Sequence, residues 1–517
     1  MSILGNRRRF LFAGFIGVAC GGAFAAPPAF VVGKNFQGST YLVDTTLNPP
    51  DTMGAVGPSH FVELINSRYS VYRKSDGVRA QTSTLDQFFI NAGITVTGSF
   101  SFDPRVLFDK PSGRWFALAV DNPRAANSFL LAVSNTADPT QGWQAFKLDS
   151  DSDDVQWADF PTFGISGDSV MFSANMFGIS GGPLVINFGA VPKASLLAGN
   201  TLGFQIFESF STGTTGFAVQ PVTSVDGAAA RPLLSSFSST SLKRTLLTGA
   251  AGALSLDFST PAATVPVGNS PPLASQPGPR QDFATVDNRF TGSVVQIGAT
   301  TWAVRCISVP SSAGPNNAGV QWFRMDAAGA VVLETGQIAD NTGTTDFIFP
   351  SIAANASGDV VIGYSSSNDE TRFNSSFASV GRFDGVSTQF NPPTLLRAGV
   401  SDFVRLDGSN RNRWGDYSAT TLDPQDPRRF WTIQEFVSAT DIYSTQISEI
   451  VVTPTCEGDI DGNGSVNTAD LVELLGVFGK CPTDPLWLPR ADVDAADPCI
   501  NTADLVVFLG NFGRVCP

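Results

Sequence analysis

The chain has 517 residues, with 46 acidic against 32 basic side chains and a formal net charge of −14. That balance excludes a nucleic-acid binder, because phosphates demand a basic face. The single histidine, His60, removes a Ser-His-Asp triad and multi-histidine zinc sites as mechanisms.

The N-terminus reads as an export signal. Arg7, Arg8 and Arg9 precede an apolar stretch from Phe10 to Ala19, and small residues surround Ala23-Phe24-Ala25, which places cleavage after Ala25. The run Asn6-Arg7-Arg8-Arg9-Phe10-Leu11 also suits a twin-arginine signal, so the Sec and twin-arginine routes both stay open. No other apolar run is long enough to span a bilayer. The expectation is an extracellular or cell-surface protein.

From residue 26 to 452 the chain is rich in Phe, Val, Ser, Thr and Gly, in short alternating runs separated by turn residues. FVELINSRYSVYRK, WFALAV, FLLAVSN, VMFSANMF, VVIGYSSS and RFWTIQEF read as strands. His60 stands between a turn and the first of these, as a strand-edge hydrogen-bonding residue. Ser83 to Ile90 is the fair helical candidate. A loose repeat organises the strands: a small or proline-containing start, a turn with Gly or Asp, then a strand of large apolar residues. It begins at Met53, Asp103, Asp159, Gln220, Arg289, Phe349 and Arg413, a spacing of about 50–70 residues. Seven units predict an all-β, seven-bladed β-propeller in which each repeat supplies the two inner strands of a blade. Six blades follow if the weak copy at Gln220 is coincidental, and a pair of β-sandwiches is the alternative.

The segments PPDTMGAVGPSHFVELIN, DPRVLFDKPSGRWF, SNTADPTQGW, DFPTFGI and RWGDYSATTLDP together make this body resemble secreted bacterial propellers of the sialidase-like type. A sialidase implies three arginines that hold a carboxylate, a tyrosine nucleophile and an acid. The candidates at the repeat starts are Arg105, Arg289 and Arg413, with Tyr417 as nucleophile and Asp159 or Asp416 assisting. The opposing expectation is that these groups pair with one another and with backbone in the channel, and that Trp115, Trp302, Trp414 and Trp431 pack between blades. A glutamate partner for the tyrosine is not assignable, since Glu63 and Glu435 lie on strand-like runs. Function therefore stays open. One reading is a propeller that binds an extracellular carbohydrate or protein; others are a sialidase-like or polysaccharide-active glycosidase and a surface scaffold.

The last residues, 453–517, carry one pattern twice: DIDGNGSVNTADLVELLGVFG from Asp459 and DVDAADPCINTADLVVFLGNFG from Asp492. In the first copy Asp459, Asp461 and Asn463 occupy loop positions one, three and five, Gly464 the sixth, and Asp470 the twelfth. Ser465 and Asn467 add oxygens between them. Alternating oxygen donors, a glycine turn and a closing carboxylate are what calcium requires. The second loop is one residue longer between Asp494 and Asp504, with Pro498 where the glycine turn is expected. Asp492, Asp494, Asp497 and Asp504 remain as donors, so one to two ions are expected. After each loop the apolar residues have helical spacing: Leu471, Leu474, Leu475 and Phe478, then Leu505, Phe508, Leu509 and Phe512.

Two loop–helix units with a shared Asn-Thr-Ala-Asp-Leu core resemble a type I dockerin, a module that plugs into cohesin domains. The resemblance implies a cohesin-facing surface at Thr468 and Ala469 and again at Thr502 and Ala503, usable in either orientation. It also implies an antiparallel packing of the helices that pairs Cys481 with Cys499 and Cys456 with Cys516. Cys306 is left as a buried thiol.

Overall fold

The structure of the chain, a computed structural model, describes residues 27–516 except 313, 454–455, 462–463, 482–483, 485, 489–490, 495–496 and 498. The expected export signal, the Asn463 donor and Pro498 lie outside the described residues.

Alternate residues of one strand show how the chain folds. In Arg114–Asp121, Trp115, Ala117 and Ala119 pack into one core, and Phe116, Leu118 and Val120 into another. Side chains of a strand point to opposite faces in turn, so both faces of this sheet are buried against neighbouring sheets. A Cβ on Gly57 in the preceding sheet would lie 2.3 Å from the Trp115 ring, which is why the two sheets approach so closely there.

The sheets are four-stranded antiparallel meanders arranged in a ring. Their inner strands are Met53–Val56, Ser101–Asp109, Gln156–Ile165, Gln220–Ser224, Val294–Ile297, Thr345–Ala354 and Ala419–Leu422. Each lies beside the next, and the last lies beside the first. Seven inner strands closed on themselves make a seven-bladed β-propeller. All seven repeat starts form the inner hairpin of a blade, including the weak copy at Gln220, whose strand pairs with Pro232–Ser238. Blades 4 and 5 are also joined directly, by parallel pairing of Val222 with Val294. The last blade is completed from the other end of the chain: Phe30–Thr40 pairs with Ile442–Val452, Phe30 opposite Val452. Ile450 to Val452 form the end of that strand. The helical candidate is a helix at Leu85–Asn91, capped by Thr84.

Two insertions, before blade 5 and before blade 7, meet through parallel pairing of Phe283–Ala284 with Asn412–Arg413. Trp414 packs edge-on against Phe283 and Phe403 there. Trp115, Trp302, Trp414 and Trp431 are all fully buried. Cys306 is a buried free thiol.

The C-terminal module holds two helices, Thr468–Gly476 and Thr502–Asn511. Its core is small: Ile460, Val466, Leu474, Ala491, Ile500 and Phe508. Cys456 is bonded to Cys516 and Cys481 to Cys499, bonds that persist in an oxidising compartment. Among the described residues no helix is long and apolar enough to cross a membrane.

Candidate functional site

Three inner strands are bulged at the same place. Asp103, Phe160 and Phe349 have φ of 52°, 49° and 51°, and each precedes a proline. The pairing skips between Phe102 and Arg105, Asp159 and Thr162, and Ile348 and Ser351. A bulge bends a strand and re-aims its groups, and here the proline carbonyls serve neighbouring blades. Pro104 O accepts from the Tyr417 hydroxyl at 3.0 Å, Pro161 O from Arg105 Nε at 2.8 Å, and Pro350 O from Thr291 Oγ1 at 2.9 Å. Arg105 Nη1 donates to Thr291 O at 3.2 Å, and its guanidinium carbon sits 3.5 Å from the centre of the Tyr417 ring. Arg105 is 1% exposed and Tyr417 fully buried. This layer fills the middle of the ring and ties blades 2, 3, 5, 6 and 7 together.

A carboxyl cluster gathers around it at the strand starts. Asp51, Asp103, Asp159 and Asp416 stand at the entries to blades 1, 2, 3 and 7, and Glu435 reaches in from the second strand of blade 7. Asn66 bridges the first two: its Nδ2 donates to Asp51 Oδ2 at 2.7 Å and its Oδ1 accepts from Asp103 N at 2.9 Å. Phe160 N donates to Asp103 Oδ2 at 2.9 Å, and the Thr52 hydroxyl donates to Glu435 Oε1 at 2.7 Å. Burial, then the charges of Asp416 and Asp103, raises Asp51 well above the carboxylate range. Protonated, it donates to Asp103. Asp103 is itself pushed to about 7 by burial and by Asp159 and Asp416. Asp159 is pushed to about 6 by burial and by Asp416, with Arg289 opposing. Glu435 is held well above its usual range, first by burial. The mouth therefore keeps protonated carboxyls near neutral pH, groups able to donate a hydrogen bond or a proton.

The structure brings the sequence-predicted candidates together at the mouth and gives most of them partners within the protein. Arg105 belongs to the central layer. Arg289 is held by Asp287 through Nε at 2.8 Å and Nη2 at 2.5 Å, and Arg413 is paired with Asp416. Arg105 Nη2 and Arg413 Nε are buried without a hydrogen-bond partner. The Tyr417 phenol is spent on Pro104 O, and burial raises its pKa well above the ordinary phenol range. Asp51, Asp103 and Glu435 are site residues that sequence reasoning did not pick out. Asp51 follows Pro50, and Asp103 precedes Pro104 in the repeat position that Phe160-Pro161 occupies in blade 3. That positional equivalence was a signal for them.

The second candidate site is the pair of acidic loops. Asp470 accepts from the backbone nitrogens of Asp461 at 2.9 Å and Asn467 at 2.8 Å. Asp504 accepts from Val493 at 2.7 Å, Asp494 at 3.1 Å and Asn501 at 2.7 Å. Carboxylate oxygens of Asp459, Asp461 and Asp470 lie within 4.8 Å of one another, and so do those of Asp492, Asp494 and Asp504. Among the described residues these are the two acidic groups close enough to share one cation; the mouth carboxyls are more spread. Other expected donors also make bonds within the module. Asn467 caps its helix through Ala469 N at 2.8 Å. Asp497 accepts from Cys499 N at 2.9 Å and from Asn501 Nδ2 at 3.1 Å. Ser465 sits in a bridge with Val515. Both helices carry the same capping box, Asn467 with Asp470 and Asn501 with Asp504. Thr468, Ala469, Thr502 and Ala503 are exposed.

No known family profile matches the chain, and no curated protein does. Solved structures similar to it include the GH93 α-L-arabinofuranosidase of Fusarium graminearum with arabinobiose. That pair is 10% identical, covers 81% of this chain and 98% of the other, and has a TM-score of 0.40. A point variant of the NanB sialidase of Streptococcus pneumoniae is 7% identical over 76% and 81% of the two chains, TM-score 0.39. Drosophila Semaphorin 1b, extracellular domains 1–2, is 5% identical over 84% and 88%, TM-score 0.37. Likeness at this level assigns no activity. The protein is a seven-bladed propeller with a disulfide-clasped helical module on ring-closure and pairing alone.

Proposed function

We propose that the chain is an exported propeller, anchored or assembled through a dockerin-type C-terminal module whose loops take calcium and whose helices dock on a cohesin-type protein. The observation that carries this reading is the outer face of the module. Each helix buries one apolar side in the core, through Leu474 or Phe508. Each leaves a second apolar side in solvent, Val472 and Leu475 on the first and Val506 and Leu509 on the second, continued by Phe478 and Phe512 just past the helix ends. Val472 is 69% and Val506 64% exposed. These are equivalent positions in the two repeats, so the ridge has a pseudo-twofold form. An exposed apolar ridge on so small a module has no structural use and marks an interaction surface. The all-oxygen donor sets, Asp459–Asp461–Asp470 and Asp492–Asp494–Asp504, suit a hard cation. Calcium bound there would offset two of the three carboxylate charges in each loop.

The propeller then presents its charged mouth to an extracellular carbohydrate or protein. Glycoside hydrolysis at that mouth is the second reading, favoured by Asp103, whose carboxyl is pushed up to about 7 and so suits a general acid, with Asp159 beside it at about 6. The test of the docking reading is capture of the full chain by a cohesin panel from the same organism, with calcium and with chelator. Calcium-dependent capture that is lost in the Leu475→Asp/Leu509→Asp double variant supports it. Failure of every cohesin, or capture indifferent to the ridge, contradicts it.

A further inference from the structure

We propose that the end of the central channel away from the charged mouth is a binding site for a neutral, largely apolar small molecule. The inner strands end there in a cavity of about 570 Å³ to which every blade contributes. Val56, Ile165, Val225, Ile297, Ala354 and Leu422 are among its walls, with the stretch from Leu107 to Pro111 along one side. Small side chains, Ala353, Ala354, Ser293 and Thr420, leave the room that the mouth fills with arginine, tyrosine and carboxyls. The volume falls in the range of ligand pockets, roughly 300–1,000 Å³.

The charge at this end points to a neutral occupant. Asp109 is neutralised by Lys193 at 3.0 Å, and Asp423 by Lys74 at 2.6 Å. Asp226 accepts from Ser224 Oγ at 2.9 Å and from Gly298 N at 2.8 Å. Lys110 stands exposed at the rim. With Asp109 and Asp423 ion-paired, Asp226 and Lys110 leave one charge of each sign, so the walls do not favour a ligand of either charge. An apolar ligand would fill the cavity, and the gain would come from apolar surface leaving water.

The experiment is fluorescence titration of the full chain with Nile red, a neutral apolar dye. Saturable one-to-one binding is expected. Ser293→Phe, on the blade 5 wall, and Ala356→Phe, at the exposed rim, should each weaken it by about ten-fold or more. The Leu475→Asp/Leu509→Asp variant should bind like wild type, which separates the cavity from dye adsorbed on the module. Absence of saturable binding overturns the proposal, as does a ridge variant that loses the dye. So does an affinity within about two-fold of wild type in Ala356→Phe, a substitution at an exposed position that the fold accommodates.

Discussion

The propeller and the module hold together by opposite means. In the propeller, strands bury both faces between blades, and buried charges such as Arg105 and Arg413 are held by proline carbonyls or by one another. Ring closure is done by one strand from each end of the chain. Its one cysteine among the described residues, Cys306, is unbonded and buried. The module has six buried apolar and small residues and two disulfides. A core that small cannot offset the conformational entropy of ordering the chain by itself, and cross-links or bound ions are the usual remedy. The contrast teaches where to look for dependence on conditions: in the module on redox state and calcium, in the propeller on pH.

The largest effect separating the two should come from Cys456→Ser/Cys516→Ser. That bond closes a loop of 60 residues, worth about 4 kcal/mol in the chain-entropy model. The double variant should lose the module's helical circular dichroism and keep the propeller's thermal transition; a retained helical signal would break the comparison.

Next is Arg105→Met. It leaves Pro161 O and Thr291 O without their donor and removes a buried cation from among the carboxyls. A loss of about 3 kcal/mol is expected for such a truncation, read as a lower propeller transition with the module unchanged. An unchanged transition would show that the central layer is not what ties the blades.

A smaller, pH-dependent effect belongs to Asp103. Its folded pKa, about 7, lies above the unfolded value, so the native state holds a proton that the unfolded chain has lost. Stability falls as pH rises through that window. Asp103→Asn keeps the acceptor for Phe160 N and removes the penalty. It should stabilise the propeller by about 2 kcal/mol at pH 8 and by almost nothing at pH 4. Equal effects at both pH values would contradict the shared-proton account of the mouth. The smallest effect sharpens the docking reading: Leu475→Asp alone removes one of two equivalent orientations and should weaken cohesin binding by only about two-fold, a statistical factor.

Much of the propeller was legible because each blade repeats a local device. A proline-marked strand start, a Gly or Asp turn and an apolar second strand can be read within twenty residues, and even Gln220 to Phe237 proved to be an inner hairpin. The mouth was legible only in part. Asp159 and Asp416 stood out as charged repeat starts. Asp51 and Asp103 lie in the same quoted segments, but their meeting depends on ring closure, and Glu435 enters from a second strand whose facing the alternation alone does not decide. The role of Phe30–Thr40 was equally hidden, since its partner lies some four hundred residues on, at Val452. The far-end cavity has no sequence signature, because it is made by what the small residues of seven strands leave empty. In the module the shared Asn-Thr-Ala-Asp-Leu core announced both helices, whereas Asn467 serves as a helix cap, which loop spacing does not distinguish from a metal donor.

The most direct test of the central claim is calorimetric titration of calcium into the full chain beside an Asp470→Ala/Asp504→Ala variant, with circular dichroism recorded in parallel. The account predicts saturable binding of one to two ions, a gain in helical signal, and loss of both in the variant. No heat of binding, or the same heat in the variant, would contradict it.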